Sequence, residues 1–93
     1  MSVVATVRLP SVLRPDAGGA AELEVSGATL GAVLDEIGVR FPALERRLRD
    51  ESGALRRYVN FYVDGEECRR LGGTAAALGP GAEVMVIPSV AGG

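Results

Sequence analysis

"SGATLGAVLDEIGVRFP", residues 26–42, carries the longest helical period in the chain. Leu30, Val33, Leu34 and Ile37 fall at i, i+3, i+4 and i+7, an apolar stripe down one helical face that Phe41 continues. Thr29, or Ser26 further back, offers a hydroxyl to cap the first turn. Asp35 and Glu36 take the polar side, and Pro42 ends or kinks the helix after Phe41. Gly31 and Gly38 each cost about 1 kcal/mol relative to alanine, so tertiary packing has to hold the helix together.

On both sides of this stretch the period changes to two. "VVATVRL" (3–9) sets Val3, Ala5, Val7 and Leu9 on one face, and "AELEV" (21–25) does the same with Ala21, Leu23 and Val25. Between them "RPDAGGA" is rich in turn formers, so the two strands read as a hairpin. After the helix, "ALERRLRDES" (43–52) spaces Leu44 and Leu48 for a second, short helix. Its Arg46, Arg47 and Arg49 read as a solvated face or, alternatively, a partner contact. "LRRYVNFYVDGEECRRL" (55–71) then alternates, with Val59, Phe61 and Val63 on one side and Tyr58, Asn60 and Tyr62 on the other. Asp64-Gly65 is a hairpin signal, because a type I′ turn needs positive φ at both central residues. Cys68 falls on the returning strand as a small buried filler. A glycine-rich connection with one helical turn at 74–78 leads to a last strand, "EVMVIPSV".

The order is therefore β-β-α-(α)-β-β-β. One main helix cannot cover two sheet faces, so a single sheet must wrap it. The right-handed crossover rule sets the first and last strands side by side and parallel at the centre. This predicts an α+β, ubiquitin-like β-grasp over residues 1–88. The central last strand then releases residues 89–93 as a tail ending in Gly92 and Gly93.

Composition narrows the chemistry. The 93 residues fit one domain, and 47% hydrophobic with 24% charged residues is ordinary for a soluble globule. A net charge of −2 supplies no general field for nucleic acid or an anionic membrane. There is no histidine, hence no imidazole base and no Ser-His or Cys-His pair. The single cysteine cannot build a zinc cage, and it suits a reducing compartment. Adjacent Asp50-Glu51 and Glu66-Glu67 point apart on any regular element, so neither is a natural acid–base pair. No segment approaches the ~18 apolar residues of a membrane span. A cytosolic protein without metal or cofactor of its own, poorly equipped to be an enzyme alone, is expected.

"VRLPSVLRPDAGG", "VNFYVDGEE" and "LGPGAEVMVIPSVAGG" together resemble the MoaD/ThiS sulfur-carrier proteins, over essentially the whole chain. Within that family, "LP.VLRP..GG", "TLGAVL" and "P.VAGG" are most similar to the carriers of actinobacterial cysteine biosynthesis. The resemblance implies that the carboxylate of Gly93 is adenylated by an E1-like enzyme of the MoeB/ThiF type using ATP, then converted to a sulfide-donating thiocarboxylate. It also implies a PLP-dependent cysteine synthase that receives the sulfur and a zinc-dependent JAMM-type peptidase that releases the product. Sulfur supply to molybdopterin, thiamine or a secondary metabolite, a ubiquitin-like modifier role, and a plain interaction module remain the alternatives.

The physics of the tail fits that chemistry. Five residues from Ser89 reach about 15–17 Å when extended. Gly92 and Gly93 lack Cβ atoms and fit a narrow channel, with Ala91 and Val90 threading behind them. Pro88 either stiffens the root of the tail or simply terminates the strand. For docking, whichever of Phe61 and Tyr62 does not pack on the helix must face outward. A frayed end and a cloning remnant are the plain readings of Gly-Gly.

Overall fold

The structure is a computed structural model that describes residues 4–88. Strands β1 (Val4–Arg8) and β2 (Glu22–Ser26) pair antiparallel, with Ala5 opposite Val25 and Val7 opposite Leu23. All four of these side chains are buried, while Arg8, Glu22 and Glu24 face water. The alternation read from the sequence is therefore the inside–outside alternation of the sheet. Ala21 is the exception: it is exposed and lies just before β2.

Helix α1 (Leu30–Arg40) follows, with Leu30, Val33, Leu34 and Ile37 all buried. Of the two candidate caps, Thr29 is used: its Oγ1 accepts from the Ala32 N–H at 3.1 Å. The free Leu30 N–H at the same end donates to the Ala76 carbonyl at 3.0 Å. Phe41 ends α1 with a non-helical backbone, φ −139° and ψ 78°, and is half-buried. Pro42 then opens α2 (Pro42–Leu48) at the position where a missing N–H costs nothing. Gly31 and Gly38 do more than weaken the helix. A Cβ on Gly31 would stand 3.1 Å from the Thr74 carbonyl oxygen, and one on Gly38 3.2 Å from Cγ of Glu45. Each glycine lets a neighbouring segment approach the helix backbone.

Strand β3 (Val59–Val63) buries Val59, Phe61 and Val63, turns at Asp64-Gly65, and returns as the two-residue β4 (Glu66–Glu67). Both turn residues have positive φ, 49° and 88°, as a type I′ turn requires. The last strand, β5 (Glu83–Pro88), runs parallel to β1 and antiparallel to β3. The sheet order is β2-β1-β5-β3-β4, so β5 lies at the centre as the crossover rule predicts. This is the ubiquitin-like β-grasp. The core lies between one sheet face and α1, is uniformly apolar among the described residues, and has Phe61 as its largest fully buried side chain.

Several expectations need correction. The stretch read as a turn before β2 is a 3-10 helix, Ser11–Ala17, held to the core by buried Leu13 and Ala17 and closed by Gly18 in the left-handed region. Cys68 is buried as expected but begins a 3-10 helix, Cys68–Leu71, rather than extending the return strand, because β4 ends after two residues. The helical turn expected at 74–78 is a shorter one, Gly73–Ala75. Arg49 does not belong to a solvated face. Its side chain is only 13% exposed and links Asp35 of α1 (2.9 Å) to Glu45 of α2 (2.8 Å), whereas Arg46 and Arg47 are exposed.

Candidate functional site

Two properties of β5 shape the surface around the point where the described chain ends. The first is that it outruns β1. The parallel register stops with Arg8 opposite Met85. Continuing it would set Pro10 opposite Ile87, and Pro10 has no N–H with which to extend the ladder. On its other side β5 stays paired to the end, with Val59 opposite Pro88. The strand therefore enters its last residues with one edge released. Pro88, the expected root of the tail, is half-buried at this point.

The second property is that β5 is apolar on both faces. Val84 and Val86 enter the core, while Met85 and Ile87 stand outward at 38% and 40% exposure. Tyr62 lies opposite Met85 on the outer face and Asn60 opposite Ile87, while Tyr58, 51% exposed, lies in the turn just before β3. Tyr62, Met85 and Ile87 thus form a largely apolar outer patch at the centre of the sheet. Of the two aromatic residues proposed for docking, Phe61 is fully buried, so it serves the core and is unavailable to a partner. Tyr62 is the outward one.

Charge frames the patch. Arg8 sits beside Met85 and pairs with Glu22 at 2.9 Å and Glu83 at 2.6 Å. The Glu83 hydrogen bond and charge, with Glu22 adding to them, raise the Arg8 pKa further above its already high value. Asp64 is tied to the same strand: its Oδ1 accepts from the Glu83 N–H at 2.9 Å, and its own N–H donates to the Glu83 carbonyl at 2.8 Å. Past the end of β1 the surface opens into a groove of about 710 Å³, lined in part by Leu9, Pro10, Arg14, Met85 and Ile87.

The positions expected to carry the chemistry, Val90, Ala91, Gly92 and Gly93, lie outside the described residues. What is described is their point of attachment. Elsewhere the titratable groups hold structure. Asp50 Oδ1 accepts from the Ser52 N–H and hydroxyl and from the Ala54 N–H, and these bonds, the Ser52 hydroxyl foremost, lower its pKa. The Cys68 thiol is pushed up, chiefly by burial and then by the charge of Glu67, so it stays protonated and unreactive at neutral pH. Among the described residues no group of three or more Cys, Asp or Glu is placed to hold a metal ion, and no helix is long and apolar enough to cross a membrane.

Sequence reasoning missed the outward roles of Met85 and Ile87 and the placement of Arg14. A signal for Met85 and Ile87 was present: a strand apolar at four successive positions has an apolar outer face as well as an inner one.

A β-grasp sheet with a released central strand and an apolar outer patch defines a small ubiquitin-like protein. The sequence model of the ThiS family matches residues 7–93, and the chain belongs to that family. It is 43% identical to the sulfur carrier protein CysO of Mycobacterium tuberculosis, over 95% of this chain and 97% of that protein. The crystal structure of M. tuberculosis CysO superposes with a TM-score of 0.86 at 41% identity, covering 92% of this chain and 99% of the other. A structure of the Amycolatopsis orientalis BexX/CysO complex matches with a TM-score of 0.88 at 36% identity, over 96% and 99%. The small archaeal modifier protein 1 of Methanosarcina acetivorans matches with a TM-score of 0.84 at 29% identity, over 100% and 99%.

Proposed function

We propose that this chain is a sulfur carrier for cysteine biosynthesis, with residues 1–88 as the folded handle and residues 89–93 as the tail that carries the reacting carboxyl group. The observation that carries the reading is its likeness to CysO over nearly the whole chain, in sequence and in fold. The released end of β5 beside an apolar patch supports it.

In this reading a carboxylate oxygen of Gly93 attacks the α-phosphorus of ATP in the E1-like enzyme and displaces pyrophosphate. A sulfide equivalent then adds to the acyl carbon, and AMP leaves with the electron pair of the C–O bond. The product is a thiocarboxylate whose sulfur is the nucleophile for the next enzyme. Pyridoxal phosphate would serve the cysteine synthase and zinc the JAMM-type peptidase, both in partner proteins. The carrier's own contribution is delivery. Its outer patch docks, its glycines pass the channel, and its body supplies no imidazole and no accessible thiol, for it has no histidine and Cys68 is buried. Ordering the tail costs entropy at each docking, which keeps affinity modest and lets the carrier move on.

Likeness to the archaeal modifier proteins favours one second reading, single conjugation through Gly93 to other proteins. The absence of lysine removes the side-chain amines that polymers of this chain on itself would need. ATP–pyrophosphate exchange with the cognate E1-like enzyme tests the step common to both readings. The full chain is expected to support exchange and a chain lacking Gly92 and Gly93 to support none; equal exchange would refute the proposal. Proteins bearing Gly93-linked adducts would favour the modifier.

A further inference from the structure

The stretch "VRLPSVLRPDAGG", residues 7–19, carries part of the family likeness, yet the proposed reaction uses none of its side chains. Arg14 is the residue in it that lacks a counter-charge. Its Nε donates to the Leu9 carbonyl at 3.1 Å, which orients the guanidinium in the groove it shares with Ile87. It makes no ion pair among the described residues. Arg8, lining the same groove, is already compensated by Glu22 and Glu83. A second arginine stands across β5. Val59 pairs with Pro88, so Arg57, two residues earlier, stands at the same end of the sheet. Arg57 is exposed and likewise without an ion pair among the described residues. Arg14 and Arg57 are thus two arginines without an ion pair among the described residues, one on each side of β5 at the end of the sheet where that strand finishes, in a chain whose net charge is −2.

We infer that Arg14 and Arg57 form a cationic collar around the tail root, which docks carboxylate side chains at the rim of the activating enzyme's channel. The inference rests on the carrier reading and adds the chemistry of the partner surface. The Arg14 guanidinium, fixed by one hydrogen bond, loses less freedom on meeting a carboxylate in a fork geometry. Opposed charges also steer the encounter and set which tail approaches which mouth. The apolar patch supplies contact area; the collar supplies orientation and choice of partner.

The test is the dependence of ATP–pyrophosphate exchange on carrier concentration, using the cognate E1-like enzyme with the full chain. Arg14→Glu and Arg57→Glu are each expected to raise KM about tenfold at low salt with kcat nearly unchanged, as loss of a rim charge should. The effect should shrink in about 0.5 M salt, where screening acts within a few ångströms. Arg46→Glu, an exposed change on α2, should leave KM alone. Circular dichroism checks that each variant is folded. A wild-type KM for the folded double variant would overturn the collar while leaving the carrier reading intact. A lower KM would overturn it too, because the arginines would then be holding the chain's own carboxylate. No exchange with wild-type protein would remove both.

Discussion

Tyr62 and Met85 face each other across the β3–β5 ladder on the outer side of the sheet, while their neighbours Phe61 and Val86, also directly paired, face each other in the core. One register therefore sets both the packing and the docking surface. Opposed cross-strand side chains lie close enough to act as one contact. Truncating Tyr62→Ala or Met85→Ala should weaken binding to the activating enzyme by about 1–2 kcal/mol each, with small effects on stability. Titration calorimetry of the two single variants and the double variant measures this, and coupling between the two is expected because they touch the same partner surface.

Phe61→Ala should act oppositely. It removes the largest fully buried side chain and should cost about 3–5 kcal/mol of stability by urea unfolding. At a temperature where the variant remains folded, its exchange activity should match that of the wild type.

Gly27→Ala tests close approach in the loop before α1. A Cβ there would lie 2.8 Å from the Val33 nitrogen and 2.9 Å from its Cγ2, so the start of the helix must shift. A destabilisation of about 1–3 kcal/mol is expected. Recovery of wild-type stability would show that the loop can move away freely.

Burial raises the Cys68 pKa in the folded state above its unfolded value. Its contribution to stability is then full below the ordinary thiol pKa and is lost as pH rises through the folded one. Cys68→Ala should lower stability at neutral pH by leaving a small cavity, and the gap to wild type should narrow above about pH 8.5. Chemical unfolding at pH 7 and pH 10 gives the comparison. The native thiol should also resist aromatic disulfide reagents until the protein is unfolded.

Gly92→Val places a β-branched side chain where the channel is proposed to be narrow. Adenylation is expected to fall at least a hundredfold with melting unchanged; normal adenylation of this variant would remove the threading argument.

Much of the fold was legible because local pattern and tertiary placement agree. Leu30, Val33, Leu34 and Ile37 are apolar for the reason they are buried, and Glu22 and Glu24 alternate with Leu23 and Val25 because one sheet face meets water. The Asp64-Gly65 turn was readable from φ requirements alone. What was hidden depends on contacts distant in sequence. The 3-10 helix of Ser11–Ala17 contains Pro15 and reads as a turn until Leu13 and Ala17 find the core. Two residues of β4 have no period, so the start of a helix at Cys68 could not be seen. Arg49 resembles its neighbours in sequence, and only the approach of α1 to α2 brings Asp35 within its reach. For the candidate site, alternation separated Phe61 from Tyr62 but left open which faced the helix. Arg14 and Arg57 could not be told from the other eight arginines, since standing beside the end of β5 without an ion pair is a property of three-dimensional surroundings.

The central claim, that the folded body exists to present a reactive carboxyl terminus, is tested most directly by mass spectrometry of the C-terminal peptide, from protein isolated gently and without reductant. The account predicts a fraction carrying sulfur in place of one carboxyl oxygen of Gly93, and a cysteinyl adduct on the same carbon where the cysteine route is running. An unmodified Gly93 in cells with an active activating enzyme, or a native chain that continues past Gly93 without processing, would contradict it.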